Sequence, residues 1–208
     1  MTVFPTSTLL SRYIAENRPA AEFNSAAAAF YASMDHLLGH SPKIVHAIIS
    51  EYRDQSRNLK LIASENFSSL STQIAHGNLL TDKYSEGVAG HRFYSGCDNV
   101  DVIENEASSL ACELFGADHA YVQPHSGADA NMVAFLAILS ARVQSPLLES
   151  FGEKSVMGLS DENWQQVRVA MQSQRLLALD LYSGGHLTHG YRLNISGVMF
   201  NAASYSVD

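Results

Sequence analysis

The sequence predicts an α/β layered fold in which helices flank a mostly parallel sheet. Three observations point there. Apolar residues recur at helical spacing behind good capping signals in two stretches. Short apolar runs bounded by turn residues lie between and after them. The two kinds of segment alternate along the chain as helix, strand, helix, strand.

In chain order, the first 40 residues are Ala/Ser-rich, with a block at Ala26–Ala29 and breaks at Pro5 and Pro19. They read as an arm or short helices packing on something else. Ser41-Pro42 is a helix start, a hydroxyl before a proline at the first helical position. Ile44, Ala47, Ile48 and Tyr52 follow at helical spacing. Leu59–Ala63 is an apolar, strand-like run ending in the polar turn Ser64-Glu65-Asn66. A second helix is expected after Asp101, with Glu104 completing a capping box, Ile103, Ala107, Leu110 and Leu114 on one face, and Gly116 as its stop. Ala120–Gln123 reads as a strand ending at Pro124. A third helix is expected from Gly127 through Leu136 and Leu139. Residues 145–174 contain Pro146, Gly152 and Gly158, then a helix carrying Trp164, Val167 and Met171. Leu176–Leu181 and Val198–Val207 read as further strands.

Composition excludes some classes of function. The chain has 208 residues, 46% hydrophobic and 16% charged, which describes a globular protein and not a disordered one. Thirteen Lys plus Arg against 21 Asp plus Glu give a net charge of −8, which argues against a general nucleic-acid binder. No uninterrupted run of 18 apolar residues is present, so no membrane span is expected. Met1–Leu10 lacks a basic segment followed by an apolar one, so no secretory leader is expected. Cys97 and Cys112 are expected to remain reduced. The expectation is a soluble, cytoplasmic protein without a metal site.

Three segments could carry chemistry. In Gln123-Pro124-His125-Ser126-Gly127-Ala128-Asp129-Ala130-Asn131 a strand ends, a Ser-Gly turn follows and a helix starts. Unpaired N–H groups and the positive end of the helix dipole suit a phosphate there, although such a junction also serves as mere connection. In Gly184-Gly185-His186-Leu187-Thr188-His189-Gly190, two glycines present a histidine beyond a strand, where α/β proteins place ligands. The two histidines equally fit a plain loop, and a zinc site would need a third ligand. In Lys83-Tyr84-Ser85-Glu86-Gly87, followed by Arg92-Phe93-Tyr94-Ser95-Gly96-Cys97, aromatic, acidic and glycine residues mix in a helix-free loop. Burial favours the neutral form of a carboxyl group, so a shielded glutamate in that loop could move a proton.

Together with Leu61-Ile62-Ala63-Ser64-Glu65-Asn66, these segments occur in the order and approximate spacing of serine hydroxymethyltransferase, and the chain resembles the N-terminal part of that family from about Arg53 to Asp208. The resemblance implies the N-terminal portion of a fold-type I transferase dependent on pyridoxal 5'-phosphate (PLP). Such an enzyme interconverts serine and glycine and passes a one-carbon unit to tetrahydrofolate. Residues 1–58 would form the arm and helices, and 59–208 the first part of the large PLP-binding domain. About 30 extra residues, roughly 144–176, would be an inserted surface segment.

By motif, Ser64 resembles the residue touching the substrate amino acid, and Glu86 the carboxyl group that moves protons near the substrate hydroxyl and folate. Tyr84 and Tyr94 match tyrosines reaching a neighbouring subunit's site, Tyr84 toward the cofactor and Tyr94 toward the substrate, which implies a homodimer or higher assembly. Ser126, Gly127 and Ala128 match the cofactor-phosphate turn, and His186 the ring stacked on the pyridine. Leu181, Gly185, His186 and Leu187 match the folate-site segment.

Two departures stand out besides the insertion. Asp129 places a carboxylate where the family has an uncharged residue. The Thr-rich His-Lys segment, the Asp-x-Ala-His segment and the C-terminal carboxylate-binding arginine do not occur. None of Lys43, Lys60, Lys83 and Lys154 has the context of the lysine that holds the cofactor covalently, so the 208 residues alone are expected to be inactive. The alternative is a non-catalytic remnant or interaction module that keeps the first half of the fold. A different fold-type I PLP enzyme is a weaker third possibility, since the Ser64-Glu65-Asn66 and Gly-His-Leu-Thr-His-Gly segments are not general features of transaminases.

Overall fold

The structure, a computed structural model, describes residues 7–16 and 24–207. Pro5 and Pro19 lie outside the described residues. The chain forms two compact units, residues 1–101 and 102–208.

The first unit is mainly helical: α1 (Leu9–Glu16), α2 (Ser25–His40), α3 (Pro42–Arg57) and α4 (Leu70–His76). Asp35 on α2 accepts the N–H groups of Leu9 and Leu10 at 2.7 and 2.9 Å, so α2 caps the start of α1. Asn24 caps α2 through its own side chain, accepting from Ala27 N–H at 3.0 Å. Pro42 opens α3 as expected, but the Ser41 hydroxyl makes no cap bond. The Ser41 N–H instead closes α2 on the Leu37 carbonyl at 2.8 Å, so one residue ends a helix and begins another. The buried position of α3 is Val45, while Ile44 and Tyr52 are exposed, because the face turned to α2 is rotated from the stripe read in sequence.

Leu59–Ala63 is not a strand. It has no ladder partner, Leu59 and Leu61 face solvent, and Lys60 between them turns back to Glu51 at 2.8 Å. Apolar composition alone does not make a strand where no edge is available to pair with. The first unit's strands are β1 (Gly87–Val88) and β2 (His91–Arg92), an antiparallel hairpin inside the segment read as an irregular loop.

Helix α5 (Asp98–Phe115) starts three residues before the expected point, so Asp101 lies within it and forms no capping box with Glu104. The stop at Gly116 is as expected, with φ +60° and the Ala117 N–H on the Cys112 carbonyl at 3.0 Å. The stripe of Ile103, Leu110 and Leu114 is exposed. Ala120–Gln123 has no ladder partner among the described residues, and the Ala120 carbonyl accepts the Ser108 hydroxyl at 2.9 Å.

In the second unit, α6 (Gly127–Leu139) passes through one π-helical stretch, Ser140–Gln144, into α7 (Ser145–Ser150). Pro146 explains the widening. It has no N–H and crowds the carbonyl four residues back, and the wider turn relieves both. The 24 residues Gly127–Ser150 form one helical stretch long and apolar enough to cross a membrane by length and composition, although polar residues interrupt its apolar run. Helix α8 (Asp161–Gln172) is capped by Ser160 and buries Val167 completely.

The strands β3 (Arg175–Leu179) and β4 (Asn201–Tyr205) pair in parallel, Leu177 opposite Ala203, with α9 (Ile195–Met199) in the crossover between them. Val198 is therefore helical, and Leu181 lies in a 3₁₀ turn beyond β3. The mostly parallel sheet expected from sequence is one parallel pair among the described residues, and helix is the prevailing regular structure.

Candidate active site

In the first unit, the hairpin organises the tyrosines and Glu86. The Arg92 side chain is only 5% exposed and its Nε donates to Asp101 Oδ1 at 2.8 Å. Its Nη1 donates to the carbonyls of Ser85 (2.7 Å) and Gly87 (2.9 Å), the two residues flanking Glu86. The Glu86 carbonyl accepts the Phe93 N–H at 3.1 Å. The backbone around Glu86 is thus held at three points while Glu86 is exposed, so the shielding that would make it a proton donor is not provided by the described residues.

Asp101 also accepts the Gly90 N–H at 2.9 Å. That bond, and then the Arg92 guanidinium, hold its carboxyl below the ordinary aspartate value, with burial opposing. Gly87, at φ +104°, leaves no room for a Cβ beside the His91 carbonyl, which keeps the hairpin tight. Tyr84 and Tyr94 meet edge to face at 5.2 Å. Ser64 sits in an exposed turn closed by the Glu65 N–H on the Ile62 carbonyl at 3.0 Å.

In the second unit, Ser126 is the N-cap of α6, its hydroxyl oxygen accepting the Asp129 N–H at 3.1 Å and its O–H still available as a donor. Gly127 faces open space. The first N–H groups of α6, from Gly127 and Ala128 onward, have no carbonyl within the helix. A phosphate fits this turn by charge and by room.

The strand end at β3 passes through Asp180, which caps the turn Leu181–Ser183. Its carboxyl lies below the ordinary value, chiefly through the Ser183 hydroxyl at 2.8 Å, then the Ser183 N–H at 3.0 Å. Burial opposes the shift, and the Tyr182 N–H adds to it. The chain then folds back at Gly185, whose N–H returns to the Asp180 carbonyl at 2.8 Å. A Cβ at Gly185 would collide with the Leu179 carbonyl.

Leu181 within this turn and His186 and Leu187 beyond it are exposed. Thr188 is buried and joins the two segments, since Asn131 on α6 donates to its Oγ1 at 2.6 Å. The segment carrying His186 is thereby tied to the helix whose first turn holds Ser126, Gly127 and Ala128. A planar cofactor with a phosphate tail fits this donor set, an anion-seeking helix terminus beside an exposed imidazole.

The profile of the family described as serine hydroxymethyltransferase matches residues 37–148. The chain belongs to the serine hydroxymethyltransferase family. It is 52% identical to the serine hydroxymethyltransferase of Treponema pallidum (strain Nichols) over 202 residues, 97% of this chain and 35% of the relative. The corresponding protein of Mycolicibacterium smegmatis is 49% identical over 185 residues, 89% of this chain and 38% of the relative. That of Chlamydia trachomatis serovar D is 46% identical over 203 residues, 97% and 41% respectively. The chain thus spans well under half the length of these relatives. Serine hydroxymethyltransferases are fold-type I PLP enzymes.

Sequence reasoning missed Arg92, Asp101, Asn131 and Thr188 as organisers of the family's site segments. Arg92, Asn131 and Thr188 all sit inside segments already singled out, and Arg92 and Thr188 carried a local signal. That signal was a polar side chain between glycines, Arg92 reaching neighbouring carbonyls and Thr188 a neighbouring imidazole. Asp101 was misassigned as a cap, and Asn131 gave no sign that its partner lay 57 residues away.

Proposed function

We propose that the protein bearing this chain interconverts serine and glycine with one-carbon transfer to tetrahydrofolate, using PLP. The observation that carries the proposal is the Asn131–Thr188 bond, which ties the His186 segment to the helix of the phosphate turn. In this reading residues 59–208 begin the large cofactor domain after an arm at 1–58. The parallel β3–β4 pair is the start of its mostly parallel sheet, and 144–176 is an inserted segment.

Each residue then has a task within the chain's own chemistry. Ser126, with the N–H groups of Gly127 and Ala128, would hold the phosphate. His186 would provide the ring contact to the cofactor. The cofactor supplies an electron sink for the bond being broken, so the protein's task is to orient that bond and manage protons. Glu86 moves the proton of the substrate hydroxyl, in a site shielded by a second subunit, to which Tyr84 and Tyr94 also reach. Ser64 contacts the amino acid, and Leu181, Gly185 and Leu187 line the folate site. Asp129 places a carboxylate in the same first turn, and its backbone N–H is taken by the Ser126 hydroxyl, which leaves the Gly127 and Ala128 N–H groups for the phosphate.

The test is Glu86→Gln in the complete enzyme. Folate-dependent serine cleavage should fall much further than cofactor affinity, and equal loss of both would refute the proton role. For the 208 residues alone, the reading expects no stoichiometric adduct after mixing with PLP and reducing with borohydride. A single adduct on one lysine would overturn the view that they lack the covalent cofactor site.

A further inference from the structure

The hydrogen bonds around Thr188 fix which nitrogen of His186 carries a proton. The Thr188 backbone N–H, which can only donate, lies 3.2 Å from His186 Nδ1. That nitrogen must therefore present a lone pair. The Thr188 Oγ1 is 2.6 Å from the same atom. Two lone pairs would repel at that distance, so the hydroxyl hydrogen must lie between them. Thr188 then needs a donor for its own oxygen, and the Asn131 amide supplies it at 2.6 Å. Reversing the Asn131 amide would leave Thr188 facing two acceptors with one hydrogen, which fixes the amide orientation as well. The hydrogen bonds therefore run from the Asn131 N–H to the Thr188 oxygen, and from the Thr188 O–H to His186 Nδ1.

The frame around this chain is rigid. Thr188 is 6% exposed, and the segment after it is pinned by the Gly190 N–H on Ser196 Oγ at 2.9 Å, with Ser196 2% exposed. Ser196 donates onward to Asn194 Oδ1 at 2.8 Å. The amide of Asn131 also lies 3.4 Å from His189 Nε2, the other imidazole of the segment, whose ring centre is 5.5 Å from that of His186.

We propose that Asn131 and Thr188 are positioning residues that hold His186 as its neutral tautomer protonated on Nε2, with that N–H left as the donor for an oxygen acceptor of the bound ligand. The two Thr188 donors on Nδ1 set both the tautomer and the orientation of the ring. The consequence for the cofactor rests on the function proposed above. The tautomer itself does not.

The test uses the full chain, labelled with ¹⁵N in its nine histidines, without cofactor, read by two-bond ¹H–¹⁵N correlations. His186→Gln assigns the resonance. The expected pattern is a protonated Nε2 and an unprotonated Nδ1. Thr188→Val should shift His186 toward a tautomer mixture, and Thr188→Ser should restore the pattern. Asn131→Asp gives a second route, because a carboxylate cannot donate and would draw the Thr188 hydroxyl away, again producing a mixture or an imidazolium. A protonated Nδ1 or an averaged mixture in the unsubstituted chain would overturn the proposal, as would unchanged patterns in both Thr188→Val and Asn131→Asp. A locked tautomer with a cofactor spectrum indifferent to His186→Ala in the complete enzyme would instead leave this inference standing and remove the ring-contact reading.

Discussion

Val167→Ala measures how far the segment around α8 is part of the second unit's core. Val167 is 0% exposed, whereas Val169, on the same helix, is 54% exposed. Truncating Val167 removes two buried methyl groups, about 1.6 kcal/mol at roughly 0.8 kcal/mol each. If the helix does not close the gap, a residual cavity of about 40 Å³ adds about 1 kcal/mol. The expected loss is therefore about 2–3 kcal/mol, against a change within roughly 0.5 kcal/mol for Val169→Ala. The single tryptophan, Trp164, lies one turn away on α8 and reports unfolding of this unit by fluorescence in a urea titration. The reasoning fails if Val167→Ala unfolds at the same urea concentration as the parent, or if the two valine variants behave alike. Either result would mean that α8 rests on the unit without being built into it.

Two further outcomes follow from the local geometry. Because the folded Asp101 carboxyl lies below its unfolded value, its contribution is complete above the ordinary carboxylate range and is lost as pH falls through the lowered folded value. Amide exchange protection of Phe93 and Gly90 should decline over that acid window in the parent chain and lose this pH dependence in Asp101→Asn; a flat response in the parent would contradict the clamp. At the other segment, Gly184→Ala meets only backbone strain at φ +96°, roughly 1–2 kcal/mol, while Gly185→Ala drives a Cβ against the Leu179 carbonyl and 2.7 Å from that of Asp180. Thermal unfolding should rank Gly185→Ala as clearly the more damaging, and the reverse order would show that the fold-back is looser than drawn.

The features legible in sequence were those set by local chemistry. Ser126 before Gly127, Ser41 before Pro42 and Gly116 at a helix end each fix a boundary through neighbouring residues, and each boundary stands in the structure. Strands were less legible because pairing is decided by a distant partner. Leu59–Ala63 and Ala120–Gln123 have the composition of strands without a ladder, while Leu176–Leu179 finds its partner beyond Asn201. The apolar stripe on α5 was read correctly as periodic but not as exposed, since periodicity says which residues share a face and not what covers it. In the candidate site, the motifs named the residues that face outward. The buried groups that aim them, Arg92 behind Glu86 and Thr188 behind His186, make contacts that spacing does not encode.

The parallel pairing of β3 and β4 carries a consequence for the order of assembly. Parallel strands cannot be joined by a tight turn, and here residues 180–200 must close as one loop before Asn201 can dock beside Arg175. That loop contains His186 and Thr188, and Asn131 reaches it across 57 residues of chain. Loop closure over such separations is entropically costly and is repaid only when the long-range contacts form together. The helices α6 and α8 are local and can appear early during refolding. The segment carrying His186 is therefore ordered by contacts that span long stretches of chain, to Asn131 and through the β3–β4 pair, and not by its own local sequence.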